Sequence, residues 1–164
     1  MLVDDAENCK VAMGKLYFLT VSLTLMGRSL TALSGPPGRA VIRALDNAAA
    51  LAAWARGVGF RDLRPSFWHV TVIFSPHSPM ALDPDALQIE PCSSRRVERM
   101  GGLITLCFPS PALMTRHLVH RQAGGVWDFL AYRPHVSFAP DDGRNLRDVR
   151  PFDGMLMFGP EIVG

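Results

Sequence analysis

Hydrophobic and polar positions alternate along several short segments of the chain, as they do in half-buried β-strands. The clearest examples are residues 69–74, His-Val-Thr-Val-Ile-Phe, and residues 135–139, His-Val-Ser-Phe-Ala. In an extended strand, residues two apart point to the same face. Each segment therefore places an imidazole beside a hydroxyl on one face and apolar side chains on the other.

The first of these two strands closes a strand–helix–strand unit. Residues 39–45 predict a short strand, and apolar residues at helical spacing predict a helix from residue 48 to about residue 56. Asp46 or Asn47 can cap this helix, and glycines follow its last turn. The histidine strand 69–74 comes next.

The second histidine strand closes a similar unit. Residues 102–108 predict a strand, and Ser110 and Pro111 predict the start of a helix, as its cap and its first helical residue. A Gly-Gly pair at 124–125 ends the helix, and the strand 135–139 follows. Two copies of one unit suggest two similar lobes that face each other.

Other segments lie between and after these units. Residues 76–91 are rich in Pro and Asp and predict a loop, while residues 95–100 predict an additional strand. Residues 155–158 predict a last apolar strand that ends at Gly-Pro-Glu, residues 159–161. Trp68 precedes the first histidine and points away from the imidazole face, which makes it a predicted core residue.

A Ser-Gly-Pro-Pro-Gly break at residues 34–38 predicts that the domain covers residues 39–164, after an N-terminal extension, residues 1–38. The apolar stretch 16–26 is too short to span a bilayer. A signal peptide looks somewhat similar, but acidic residues at positions 4, 5 and 7 are atypical of its basic first part. We therefore favour an extra strand or an upstream extension over secretion.

The composition is that of one globular domain: 164 residues, 48% hydrophobic and 20% charged, with a net charge of +2. Such a small charge implies no strongly polyelectrolytic partner. Arginine supplies 15 of the 17 basic residues, which suits phosphate binding but also reflects a GC-rich genome. Three cysteines without a CxxC motif indicate a reducing compartment and small buried side chains rather than a zinc site.

Two imidazoles beside two hydroxyls are the groups that acid–base cleavage of a phosphodiester requires. One histidine can take a proton from the attacking hydroxyl or water, and the other can protonate the leaving oxygen. Thr71 and Ser137 can donate hydrogen bonds to the non-bridging oxygens, so that positioning needs no metal. A single His-x-Thr segment is usually structural, but the repetition at His69 and His135 favours a functional pair.

These two motifs resemble the paired signature of the 2H phosphoesterase superfamily, the LigT-like proteins. That superfamily includes RNA 2′,3′-cyclic phosphodiesterases and phage anti-CBASS nucleases. The flanking stretches, residues 47–57, 127–135 and 152–161, look closest to the phage anti-CBASS nuclease-like branch. The resemblance covers about residues 39–164.

The resemblance implies a two-lobed α+β fold with the two histidine strands lining a central cleft. It implies a phosphoric diester hydrolase without cofactor or metal, with His69, Thr71, His135 and Ser137 as catalytic residues. Its expected substrate is a cyclic nucleotide or cyclic oligonucleotide with 3′,5′ bonds, hydrolysed in the cytoplasm, the bacterial host cytosol if a phage encodes it. Destroying this messenger would disarm antiviral signalling. Ser137 stands where the branch usually has Thr and keeps the hydroxyl.

Two other functions stay open. The chain could act as an RNA 2′,3′-cyclic phosphodiesterase, although the low net charge argues against a long RNA footprint. It could also be a non-catalytic nucleotide-binding or phage structural module. A complete acid–base set argues for an enzyme. No membrane association is expected, and the sequence does not indicate the oligomeric state.

Three further residues are candidates for substrate binding. Glu161 follows the last predicted strand, and the resemblance suggests an acidic residue near the cleft there; a surface turn carboxylate is the alternative. Trp127 and Tyr132 precede the second motif and could stack on a nucleobase, or could anchor the lobe in the core.

The remaining candidates carry simpler interpretations. Arg43 and Arg133 could reach phosphate, but exposed surface arginines are the expectation. His117 and His120 lie three residues apart on the second helix, without the third ligand that a metal site needs, and are read as ordinary helix residues. His77 falls in the predicted loop and is expected to be exposed.

Overall fold

The structure is a computed structural model that describes residues 39–74 and 81–164. The N-terminal extension, with its apolar stretch 16–26, and His77 lie outside these residues. The described part contains seven strands and two helices, which in chain order are β1 (Ala40–Leu45), α1 (Ala48–Gly57), β2 (His69–Phe74), β3 (Leu87–Ile89), β4 (Arg96–Met100), β5 (Leu103–Cys107), α2 (Pro111–Gln122), β6 (His135–Pro140) and β7 (Leu156–Val163).

The strands form two antiparallel sheets. A four-stranded sheet has the order β2-β1-β7-β3, and a three-stranded sheet has the order β4-β5-β6. The domain is therefore α+β, and each histidine strand lies at the edge of its own sheet. Neither described helix is long and apolar enough to cross a membrane.

Most elements form where the hydrophobic pattern predicts them, with two differences. The predicted loop 76–91 contains the short strand β3, which pairs with β7. The last strand does not end at Gly159 but continues to Val163. A register shift against β1 between Arg43 and Leu45 marks a bulge at Gly159–Pro160. Because a bulge tolerates a residue without an N–H, the strand passes through Pro160.

The two helix starts differ in how they are capped. Ser110 caps α2 as predicted, since its Oγ accepts a hydrogen bond from the Leu113 amide at 3.2 Å. The predicted cap of α1 is wrong, because Asn47 makes no capping hydrogen bond. Its Nδ2 donates instead to the Met155 carbonyl at 2.8 Å, and its Oδ1 accepts from the Met157 amide at 3.0 Å.

The core joins the two halves of the domain around Phe138 of β6. Trp54 of α1 and Phe60 meet this ring edge to face, at centroid distances of 5.3 and 5.0 Å. Trp68 approaches it at 6.5 Å and is buried, as predicted. Burying each such side chain contributes about 1.5–3 kcal/mol. Side chains of the first half thus pack against the histidine strand of the second.

Arg95 is a buried cation that ties the loop after β3 to the segment before β7. Its Nη1 donates to the carbonyls of Phe152 and Gly154, and its Nη2 donates to those of Ile89 and Glu90. Four carbonyl dipoles replace the water that the guanidinium loses on burial. This arginine is therefore structural.

The described cysteines carry free thiols. Cys107 on β5 is buried, as the sequence predicts, and burial raises the pKa of its thiol. Cys92 is only partly buried. Cys9 lies outside the described residues.

Candidate functional site

Each histidine strand contains a β-bulge directly after its hydroxyl residue. In β2, Thr71 pairs with Ile42 of β1, and Ile73 pairs with Val41, which leaves Val72 as the extra residue. A bulge interrupts the alternation of side chains and redirects them locally. Val72 and Ile73 are therefore both buried in succession.

The second histidine strand has the same irregularity at the same place. Ser137 of β6 pairs with Thr105 of β5, and Ala139 pairs with Ile104, so Phe138 is the extra residue. The two strands consequently share one burial pattern, in which the histidine and the hydroxyl residue are half-buried, and the residue between them and the two residues after the hydroxyl are buried. The repetition extends from sequence to backbone geometry.

A single open pocket receives the four catalytic candidates from the two edge strands. It is lined by Pro65, His69, Thr71, His135 and Ser137. His69 and His135 thus line the same pocket although they belong to different sheets and are 66 positions apart in the chain, from 69 to 135. A small polar group in this pocket would be within reach of both histidine strands.

Both imidazoles are held in the same way. Nδ1 of His69 lies 3.2 Å from the Phe67 carbonyl, and Nδ1 of His135 lies 2.7 Å from the Arg133 carbonyl. A carbonyl oxygen can only accept, so Nδ1 carries a hydrogen in both rings. Within the described residues neither Nε2 atom has a hydrogen-bond partner. Each Nε2 can therefore bind or release a proton.

The surroundings of His135 favour its neutral form. Burial lowers the pKa of its imidazole, and the positive charge of Arg133 and the proximity of His69 act in the same direction. The hydrogen bond to the Arg133 carbonyl opposes them and is outweighed. His135 therefore favours the neutral form at neutral pH, as a general base requires.

The side chains of Tyr132 and His117 each form a hydrogen bond to the backbone of the β2 bulge. The Tyr132 hydroxyl donates to the Thr71 carbonyl at 3.0 Å, and Nδ1 of His117 donates to the Val72 carbonyl at 2.7 Å. The two rings are stacked, with centroids 4.2 Å apart and planes 1° from parallel. Burial lowers the pKa of His117 and raises that of Tyr132, so both stay neutral. They hold the backbone carbonyls of two consecutive strand residues.

Two predicted stacking residues consequently lie outside the pocket. Tyr132 is buried, with its hydroxyl bonded to backbone. Trp127 stacks on Phe74 at 5.3 Å and meets His117 edge to face at 4.9 Å. Both belong to a set of ring side chains, Phe74, His117, Trp127 and Tyr132, that we call the aromatic group behind β2. Neither Trp127 nor Tyr132 lines the pocket. This matches the alternative in which they anchor the lobe.

Glu161 also lies away from the pocket, in a buried group of charges that we call the Glu161 cluster. Its members are Arg43, Asp83, Arg116, His120 and Glu161. Glu161 accepts from Arg116 at 2.6 and 2.8 Å and from the Asp83 amide at 3.0 Å, and it lies 3.0 Å from Nε2 of His120. Its side chain is fully buried, so in this conformation it offers no surface to a substrate.

Burial disfavours the charged form of Glu161 and would raise its pKa, but the hydrogen bonds from Arg116, the Asp83 amide and His120 outweigh it. The pKa is lowered to about 2. The expectation that Arg43 is an exposed arginine is wrong, because only 1% of it is exposed. Its Nη2 contacts Asp83 at 2.5 Å and Glu161 at 3.5 Å.

The sequence did not predict the buried contacts of two histidines on α2, but it did predict that Arg133 is exposed. His117 and His120 are buried, bonded to β2 and to Glu161 respectively, and the only sequence signal is their shared helix face at three-residue spacing. Arg133 is exposed as expected and ion-paired with Glu98. Among residues 39–74 and 81–164, no group of three or more His, Cys, Asp or Glu side chains could hold a metal ion.

Comparison with known proteins assigns the domain to a family. The family model described as "Anti-CBASS protein Acb1" matches residues 38–164. Curated proteins of that name from Caulobacter sp. (strain RHG1) and Sphingomonas paeninsulae are 34% and 35% identical over 134 and 136 residues, 74% of this chain. The chain spans only about a fifth of their length, 21% and 22%. This chain belongs to the Acb1 anti-CBASS protein family.

Proposed function

We propose that this domain is a metal-independent phosphodiesterase of the 2H phosphoesterase type. In this proposal it hydrolyses 3′,5′ phosphodiester bonds of cyclic oligonucleotides and thereby serves evasion of CBASS, a bacterial antiviral defence. The observation that carries the proposal is the pocket that both His69 and His135 line, each with Nδ1 bonded to a carbonyl and with Nε2 unbonded as far as residues 39–74 and 81–164 are concerned. Membership in the Acb1 family supports the antiviral context.

The reaction divides between the two imidazoles. Neutral His135 accepts a proton from water at Nε2 while the water oxygen forms a bond to phosphorus. The bond from phosphorus to the ribose oxygen breaks, and Nε2–H of His69 gives its proton to that oxygen. One water is consumed, and the products are a phosphomonoester and a free hydroxyl. Exchange of one proton with solvent at each ring restores the starting state.

Charge develops on the non-bridging oxygens as the water attacks. The hydroxyls of Thr71 and Ser137 line the same pocket and can donate to these oxygens. Preorganised donors of this kind are worth about 10²–10³ in kcat each. The bulges hold them there, and the bonds of Tyr132 and His117 to the β2 bulge limit its movement.

The decisive experiment is hydrolysis by the purified full chain of a panel of cyclic di- and trinucleotides, together with 2′,3′-cyclic nucleotides. We expect linear products from the 3′,5′-linked cyclic substrates, unaffected by EDTA. The variants His69→Ala and His135→Ala should each lose at least 10²-fold in kcat, about the value of one acid or base. Thr115→Val, on an exposed position of α2, is a suitable control that retains activity.

Other results would assign another function. Turnover restricted to 2′,3′-cyclic nucleotides would favour the RNA-processing alternative. Tight binding with intact ligand recovered would indicate a non-catalytic module. Turnover that EDTA abolishes would contradict the two-histidine mechanism.

A further inference from the structure

The two walls of the pocket are related position by position but differ in chemistry. We define the His69 wall as β2 with the residues that share its pocket face on β1 and β7. Ala44 lies opposite His69, Ile42 lies opposite Thr71, and Ile162 of β7 follows opposite Ile42. Cross-strand partners lie about 5 Å apart on the same face. This wall is therefore apolar behind its two catalytic groups.

The equivalent His135 wall is polar and charged. Across its sheet, the two rows of cross-strand partners are His135, Cys107 and Arg96, and then Ser137, Thr105 and Glu98. Where the first wall has Ala, Ile and Ile, this one has a thiol, a hydroxyl and two ionisable side chains. Thr105 and Cys107 are buried, so a ligand on this side would meet Arg96 and the Glu98–Arg133 ion pair instead of an apolar surface.

The sharpest difference lies two residues before each histidine. Phe67 and Arg133 are equivalent positions, since the carbonyl of each accepts the Nδ1–H of its histidine. The Phe67 ring is 49% exposed and lies near the His69 imidazole, with centroids 5.5 Å apart and planes 25° from parallel. Arg133 is engaged by Glu98. Only the His69 wall offers an exposed aromatic face at this position.

Nucleobases are flat, apolar on both faces and readily stacked on aromatic side chains. On the proposed assignment, His69 protonates the leaving oxygen, so the nucleoside that carries this oxygen lies on the His69 side of the phosphorus. Its base is the part of the substrate that can reach Phe67. The other nucleoside, which keeps the phosphate, faces the polar wall.

Building on the proposed hydrolysis, we propose that Phe67 is a specificity residue that stacks the base of the leaving nucleoside. The two walls then fix the direction of the substrate in the pocket. Because purines stack more extensively than pyrimidines, a mixed cyclic dinucleotide should be cut at one of its two phosphodiester bonds in preference to the other. The purine nucleoside should carry the new free hydroxyl.

The test uses a cyclic 3′,5′-dinucleotide with one 2-aminopurine and one uracil, and the full chain. The wild type should release mainly the linear product whose free hydroxyl lies on 2-aminopurine. Phe67→Ala should abolish this preference and raise KM about 5- to 100-fold, the range for one stacked base, with kcat changed by less than about twofold. Phe67→Trp should retain both properties. A fall in kcat with unchanged product ratio would contradict stacking and indicate that Phe67 only positions His69.

A binding measurement separates this inference from the proposed function. In the His135→Ala background, 2-aminopurine fluorescence should be quenched on binding, and adding Phe67→Ala should remove the quenching. Phe129→Ala is the matched control, because Phe129 is also an exposed phenylalanine, 63% exposed, but its ring contacts Trp127 and not His69. Quenching that requires Phe67 without cleavage by the wild type would reject hydrolysis and support the stacking contact. Cleavage with quenching that survives Phe67→Ala would reject the contact.

Discussion

At the scale of single residues, the two imidazoles make the same kind of hydrogen bond to the backbone but have different neighbouring side chains. Each Nδ1–H is bonded to the carbonyl two residues earlier. Only His135 follows an arginine at that position, and this cation contributes to the lowered pKa of its imidazole, after the larger effect of burial. The difference makes His135 the base in the proposed reaction.

This assignment predicts an effect of Arg133→Gln on the pH dependence of kcat/KM. Removing the cation should raise the pKa of His135 toward its ordinary value. Since the base must be neutral, activity that falls as the pH drops should then begin to fall at a higher pH than in the wild type. The backbone carbonyl that holds His135 is unchanged by the substitution. Arg99→Gln, which affects an exposed pair with Asp141, is the control and should leave the profile in place.

Residue-scale prediction from sequence succeeds where the chemistry is local. The shared face of His69 and Thr71 follows from strand periodicity alone, and the structure has these residues in one pocket with His135 and Ser137. The functions of Tyr132 and His117 could not be predicted, because their partners are backbone carbonyls on a distant strand. Backbone atoms leave no residue-specific signal in the sequence.

At the scale of elements, β2 depends on groups outside its own sheet. Its bulge leaves the carbonyls of Thr71 and Val72 in irregular positions, and the side chains of Tyr132 and His117 bind them. A buried carbonyl without a partner is costly. The aromatic group behind β2 therefore contributes both to stability and to the position of the Thr71 hydroxyl.

Tyr132→Phe should separate these two contributions. It removes one hydrogen bond and should lower the free energy of unfolding by about 1 kcal/mol, as measured by urea titration. It should also lower kcat, because Thr71 loses its support. Ser110→Ala removes the α2 cap for a similar loss of about 1 kcal/mol and leaves β2 untouched. Equal kcat values for the two variants would show that the Tyr132 hydroxyl has no part in positioning.

Element boundaries were predicted well where periodicity is strong and poorly where tertiary contacts decide. β1, α1, β2 and α2 match the hydrophobic pattern to within one or two residues. The continuation of β7 past Pro160 depends on a bulge against β1, which no local pattern reveals. The short β3 forms because β7 offers it an edge.

At the scale of the whole molecule, the Glu161 cluster connects elements that are distant in sequence. Glu161 of β7 binds Arg116 and His120 of α2, Arg43 of β1 and the amide of Asp83. The side chains of Arg43 and Glu161 are buried, so their charges depend on these partners for the solvation that they have lost. The sequence could not predict this, because its members come from four separate segments.

Glu161→Gln should be strongly destabilising, by about 3–5 kcal/mol, because it removes the buried carboxylate that Arg43, Arg116 and His120 share. The wild type gains stability from Glu161 at pH values above about 4.5, and this gain should disappear as the pH falls toward the lowered pKa of about 2. The variant should lack this part of the acid dependence. Asp142→Asn, in an exposed pair with Arg144, should leave the free energy of unfolding nearly unchanged, because water screens this pair. Thermal and urea unfolding at several pH values would measure both.

Because β2 and β6 are edge strands of different sheets, substitutions in the core can change the spacing between their histidines. Among the described residues, the hydrogen-bonded ladders of these strands run to β1 and β5, not to each other. No ladder hydrogen bond in that part of the chain fixes the spacing of the two imidazoles, so we expect it to depend on side-chain packing, such as that of Trp54 and Phe60 against Phe138. A methyl group gained or lost in that interior should then change the spacing of the two imidazoles, and with it the rate of the proposed reaction, while every residue that lines the pocket stays the same.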